Sequence, residues 1–281
     1  MKISLVLLAL ALPLAAHADF DSDFADITTA TPYKSSYLLA GISDAAYGDS
    51  GQRQKRWRRM GLTQVAFEKK ARVGAEVVIA KSDTYLIVSV RGTKNWKDFG
   101  TDAGAKKDSK RFKAVDARVH SGFAAHADAL ADFVARTVQA EKGSRKLYLT
   151  GHSLGGAVAA LLAYDLQVNR GVQVDGVMTF GAPRVGGQGW ASKYDRVLKT
   201  RTWRWINRHD PVPHVPSGNK WKHVGKRHIV RKRTIHFDAG STPDADFASS
   251  DHKMLQYLRR LYNGMPAASR AGLPKPGELA I

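Results

Sequence analysis

Lys146-Leu147-Tyr148-Leu149-Thr150-Gly151-His152-Ser153-Leu154-Gly155-Gly156-Ala157, continuing as the Ala/Leu-rich run to Val168, is the stretch on which the fold turns. Lys146 to Thr150 reads as a short strand, Gly151 to Gly156 as a tight turn, and Ala157 to Val168 as a helix. A strand-turn-helix unit with Gly-x-Ser-x-Gly at its bend aims a serine hydroxyl out of the end of a sheet. Such a bend brings backbone against backbone, and Gly151, Gly155 and Gly156 supply the positions without side chains that it needs. The pentapeptide alone arises in about one chain in ten of this length at average residue usage. The strand before it and the helix after it therefore carry the inference.

Upstream, Ser35 to Tyr47 has a helical pattern, and a polar, basic stretch from Gly48 to Arg59 interrupts it. Leu62 to Glu68, Ala75 to Ala80 and Tyr85 to Val90 read as strands. The last is a dense β-branched run ending at Arg91-Gly92-Thr93, as a buried central strand does on meeting a loop. Phe123, Ala127, Leu130, Val134 and Val138 fall at helical spacing and predict a helix over about 122–141. Downstream, Val174 to Phe180 and Thr200 to Asn207 read as strands around a helix over 189–198. A basic hairpin over 226–237 and a final helix over 250–262 follow. The alternation implies one α/β domain over 19–263, with residues 264–281, rich in Gly, Pro and Ala, as a flexible tail.

Composition narrows the chemistry. The 281 residues include no cysteine, which excludes disulfides, thiolate metal sites and cysteine nucleophiles. Lys and Arg number 44 against 25 Asp and Glu, a formal charge of +19 that attracts anionic partners. Met1 to Ala18 carries Lys2, an apolar run and Ala16-His17-Ala18, the pattern of a secretory signal peptide, so the chain is expected to be exported to the periplasm or beyond. No Gly-x-Gly-x-x-Gly, P-loop or His-Glu-x-x-His is present, so no cofactor and no metal are implied.

A serine hydroxyl is a poor nucleophile unless an imidazole accepts its proton and a carboxylate orients that imidazole. In the chain order Ser, acid, His, both partners lie downstream of Ser153. Asp210 follows a strand and precedes Pro211, which biases it towards an extended exit loop. Asp175 lies at the wrong end of its strand and Asp195 in a helix. Among the histidines, His17 leaves with the leader, and His152 faces away from the nucleophile's reacting side. His209 and His214 flank Asp210 too closely, and His223, His228 and His236 fall in the basic stretch. His120 and His126 precede the serine and read as structural. His252, at the start of the last helix, is the expected base. Leu154, through the amide after the nucleophile, and Thr93, just past the central strand, are the expected oxyanion-hole donors.

The blocks Arg91-Gly92-Thr93, Asn95-Trp96, Val119-His120-Ser121-Gly122-Phe123, Thr150 to Ala157, Phe180-Gly181-Ala182-Pro183-Arg184-Val185-Gly186, Asp210-Pro211-Val212-Pro213 and Asp251-His252 together resemble the class 3 lipase family, the fungal-lipase-like α/β hydrolases. The resemblance covers about residues 33 to 262. It implies an α/β-hydrolase fold with a mostly parallel central sheet flanked by helices, and a serine carboxylester hydrolase of the triacylglycerol lipase or phospholipase A type. It implies Ser153, Asp210 and His252 as triad, Thr93 and Leu154 as oxyanion donors, and a lid at Lys94 to Thr101 whose Trp96 and Phe99 meet lipid. The lack of cysteine and the basic surface depart from secreted fungal relatives, and the charge favours contact with anionic lipid. A polyanion- or membrane-binding protein on a hydrolase scaffold is the alternative. Nucleic acid is disfavoured as a partner by the export signal.

Overall fold

Strands β1 (Thr63–Lys70), β2 (Ala75–Lys81), β3 (Tyr85–Val90), β4 (Lys146–His152), β5 (Gly176–Phe180), β6 (Thr202–Asn207), β7 (Lys226–Val230) and β8 (Ile235–His236) form one sheet in which spatial order follows chain order. Strands β3 to β7 run parallel, while β1, β2 and β8 pair antiparallel. This computed structural model describes residues 19–93, 112, 118–239 and 247–280. The expected leader, and the expected lid with Trp96 and Phe99, lie outside the described residues.

The helices are α1 (Phe20–Phe24), α2 (Tyr33–Ala45), α3 (Ser50–Arg59), α4 (Ser121–Glu141), α5 (Leu154–Tyr164), α6 (Gln188–Leu198), α7 (Met254–Gly264), α8 (Ala267–Arg270) and α9 (Pro276–Leu279). Successive strand residues point to opposite faces, so each parallel strand feeds two cores. Leu86, Val88, Val90, Leu147, Leu149 and Val177 pack with α4, α5 and α6. Tyr85, Ile87, Tyr148, Met178, Phe180 and Trp205 pack with α2 and α7 on the other side. Helix α2 lies between the sheet and α7, which is why it is buried on nearly every face instead of along one stripe.

Two expectations are corrected. The basic stretch 48–59 is not an interruption: Asp49 caps α3 in a capping box with Gln52, and Trp57 anchors it in the core. Two of its five cations turn inward. Arg53 donates to the Gly48 carbonyl at 2.7 Å and lies 4.4 Å over the Phe67 ring, while Arg56 reaches Asp44 at 3.3 Å and the carbonyls of Leu279 and Ala280. Lys55, Arg58 and Arg59 remain exposed. The second correction is the tail. Residues 265–280 fold back over α2, the Tyr37 hydroxyl donates to the Pro274 carbonyl at 2.7 Å, and Leu279 is fully buried in the same core. One well-placed leucine at the right distance anchors a Gly/Pro/Ala segment that has no periodicity to announce it.

Candidate active site

The bend at Ser153 is tighter than the sequence suggests. Strand β4 runs on to His152 and helix α5 starts at Leu154, leaving the serine alone between them. It adopts φ 58° and ψ −132°, a region that side-chain-bearing residues rarely occupy and that costs on the order of 1–3 kcal/mol. The surroundings hold it there. Its amide donates to the Phe180 carbonyl at 2.9 Å, and Gly155 lets α5 press so close to β3 that a Cβ there would stand 2.1 Å from the Val90 carbonyl oxygen.

Strand β6 ends at Asn207, and the turn beyond it delivers Asp210, which is completely buried. Its carboxylate accepts from His252 Nδ1 at 2.9 and 3.0 Å, from the Tyr257 hydroxyl at 2.6 Å and from the Val212 amide at 2.8 Å. His252 Nε2 stands 2.9 Å from Ser153 Oγ. An alcohol, an imidazole and a carboxylate from residues 153, 252 and 210 thus form one continuous hydrogen-bonded chain. With Nδ1 donating to a carboxylate, Nε2 faces the serine hydroxyl as an acceptor.

The frame around this chain is itself polar and closed. His252 ends a short 3-10 turn, Ser249–His252, directly before α7, so the ring is held by a turn and not by the helix proper. Asn207 Nδ2 donates to the Asp251 carbonyl at 2.7 Å, and Arg260 from α7 grips the Asp251 carboxylate through two contacts of 2.9 Å. Tyr257 accepts from the Asn207 amide at 2.9 Å. Burial and the neighbouring Asp210 charge push its phenol well above the ordinary value, so it stays a donor. Gly181, at φ +58°, passes so near that a Cβ would lie 2.6 Å from Asp210 Oδ2 and 3.2 Å from His252 Nδ1.

Beyond β3, Gly92 packs against Ser153, a Cβ there standing 3.2 Å from the Ser153 Cβ, and half-buried Thr93 follows it to the same end of the sheet. The Leu154 amide is the first of α5 and has no acceptor within its own helix. The remaining histidines go elsewhere. His120 stacks on Phe123 at 4.2 Å, His126 bonds the Gly122 carbonyl, and His214 packs on Phe247. His223 bonds the Pro213 carbonyl, and His228 Nδ1 accepts from the Asp238 amide. His152 is the exception to its expected role. Its ring lies 4.5 Å from the His252 ring and bonds the His252 carbonyl. Sequence reasoning missed this and Tyr257 alike, because Tyr257 takes a core position in an amphipathic helix and nothing separates it from the other buried aromatics.

Residues 87–220 match the family described as Lipase (class 3). The chain is 31% identical over 166 residues to the secreted mono- and diacylglycerol lipase 2 of Gibberella zeae, covering 52% of this chain and 40% of that protein. It is 29% identical over 207 residues to phospholipase A1 EG1 of Oryza sativa subsp. indica, covering 64% and 45%. It thus spans less than half the length of these curated relatives. Among solved structures, the lipase of Rhizopus microsporus var. chinensis superposes with a TM-score of 0.69 at 24% identity over 80% of this chain and 86% of that one, and the Rhizomucor miehei lipase propeptide complex with 0.71 at 20% identity over 84% and 83%. These likenesses place the chain in the α/β-hydrolase fold. The match of residues 87–220 to the class 3 lipase family thus falls on a chain that has the fold of these lipases.

Proposed function

We propose that this protein hydrolyses carboxylic esters of lipids through an acyl-enzyme, with Ser153 as nucleophile, His252 as base and acid, Asp210 as the partner of His252, and the amides of Thr93 and Leu154 as oxyanion donors. Ser153 Oγ adds to the ester carbonyl while its proton passes to His252 Nε2. The carbonyl oxygen gains negative charge, which the two amides stabilise by donating hydrogen bonds to it. Collapse breaks the bond to the alcohol, which leaves with the proton from Nε2. Water then adds to the acyl carbon, giving its proton to Nε2, and the bond to Oγ breaks as Oγ takes that proton back, releasing the acid and restoring the resting site.

The observation that carries this reading is the Asp210–His252–Ser153 chain at contacts of 2.9 Å, anchored on a strained serine. The relatives named above act on mono- and diacylglycerols and phospholipids by their names, and lipid esters are the common class. Ser153→Ala should abolish p-nitrophenyl ester hydrolysis in the folded protein; retained turnover would exclude the mechanism, and salt-sensitive polyanion binding without turnover would favour the binding alternative.

The finer reading has three parts. The domain runs from 19 through the folded-back segment to 280, after a leader that exports it; no described helix is long and apolar enough to cross a membrane. Trp96 and Phe99 are the proposed lipid contacts. Exposed Lys55, Arg58, Arg59, Lys232 and Arg233 favour anionic membranes, each cation near the surface contributing about 1 kcal/mol. Turnover of vesicles containing phosphatidylglycerol should exceed that of neutral vesicles and fall as salt is raised; equal rates would remove the electrostatic part.

A further inference from the structure

His152 precedes the nucleophile in the chain and is 6% exposed. Its Nε2 lies 2.7 Å from the backbone carbonyl oxygen of His252. A carbonyl only accepts, so Nε2 carries the proton. Burial, then the neighbouring His252, hold the ring well below the ordinary histidine value against the bond to that carbonyl, so it is neutral and its Nδ1 is an acceptor. The Tyr47 hydroxyl, 2.9 Å away, donates to it. Tyr47 keeps that proton: burial and Asp44 push its phenol up, against the pull of Arg91, which lies 5.7 Å over its ring. The other groups facing His152 are the His252 ring at 4.5 Å and the Tyr257 ring at 6.1 Å, with Asp210 beyond them. Tyr47 therefore sets the tautomer of His152, and His152 holds both the peptide plane and the ring face of His252.

We infer that His152 is a positioning residue whose work falls in the second half of the reaction, when Ser153 can no longer orient His252. The inference rests on the acyl-enzyme reading above. In the resting site His252 is tied at Nδ1 by Asp210, at Nε2 by Ser153 Oγ, and at its carbonyl by His152. Once Oγ is esterified it has no proton to donate, and the tie at Nε2 is lost. Asp210 fixes Nδ1 but leaves the far side of the ring to its other contacts, of which the His152 ring at 4.5 Å is one. His152 remains, covalently next to the acylated serine, and keeps Nε2 over the acyl carbon so that it can take the proton of the attacking water.

Loss of His152 should slow deacylation more than acylation. In stopped-flow hydrolysis of p-nitrophenyl butyrate, His152→Leu should release a burst approaching one equivalent of p-nitrophenol, with kcat down about tenfold, KM falling with it, and kcat/KM within about twofold of the parent. His152→Gln, which places an amide donor near the Nε2 position, should return kcat to within about twofold. Tyr47→Phe should give a burst with a smaller loss of kcat. A fall of kcat and kcat/KM together without a burst, or unchanged kinetics, overturns the inference. If His152→Leu does not fold, the burst of Tyr47→Phe decides alone, its absence being the refutation. Ser153→Ala run in parallel separates the two readings: activity retained there removes the triad itself, whereas activity lost there with burst-free His152 variants removes only the role of His152.

Discussion

Replacing Gly181 by alanine tests how closely the site is built. The position has φ +58°, which costs alanine about 1–2 kcal/mol wherever it occurs. At Gly181 the new methyl would also stand 2.6 Å from Asp210 Oδ2, 3.0 Å from the Tyr257 hydroxyl and 3.2 Å from His252 Nδ1. A carbon and an oxygen need about 3.3 Å, so the carboxylate must retreat by about 0.7 Å, and crowding of this kind costs a further 1–3 kcal/mol or so. Asp210 cannot move without loosening His252, and a misplacement approaching 1 Å costs about a hundredfold in rate. Gly171 supplies the control, since it has φ +64° and nothing within 4 Å of its missing Cβ. Gly181→Ala should therefore lose about 2–5 kcal/mol of stability and about a hundredfold in kcat/KM for a p-nitrophenyl ester. Gly171→Ala should lose only the backbone cost and keep full activity. Folded protein is verified by near-UV circular dichroism and urea unfolding. A folded Gly181→Ala enzyme within threefold of the parent would refute the geometry.

Leu279→Ala should cost about 2–5 kcal/mol, read as a lower urea midpoint at unchanged slope, with kcat/KM retained because Leu279 packs on α2 far from the serine along the chain. An unchanged midpoint would contradict the folded-back segment. For pH dependence, burial pushes His228 down to about 4 against the ordinary 6.5. Its folded value lies below its unfolded one, so the unfolded chain binds the extra proton and stability falls as pH drops from about 6.5 to about 4, by up to about 3 kcal/mol. His228→Asn, whose side-chain oxygen can still accept from the Asp238 amide, should flatten that part of the stability curve by one proton; an unaltered curve between pH 6.5 and 4 would count against it.

The reach of sequence reasoning follows from where information is local. β3 and β5, buried on both faces, show as apolar runs, and the Ser153 bend shows because its close approaches leave room only for glycine. Asp210 and His252 were found by chain order and elimination, and they stand within hydrogen-bonding distance of one another. Helix α3 was hidden because its arginines look solvated in sequence, whereas Arg53 and Arg56 meet acceptors supplied by Gly48 and by residues 279 and 280. Tyr257, Tyr47 and the His152 contact were hidden for the same reason: each gains its meaning from a partner 47 to 105 residues away.

The closure of α2 by α7 and residues 265–280 has a consequence for how the molecule is made. Leu38 and Ile42 share their core with Leu258 and Leu279, far later in the chain. Until those last turns emerge, α2 presents its apolar side to water or to a holding chaperone, and closing so long a loop is a late event. A nascent or C-terminally clipped polypeptide would thus remain unsealed, with the site around Asp210 unfinished: α7 also brings the hydroxyl on which the carboxylate leans.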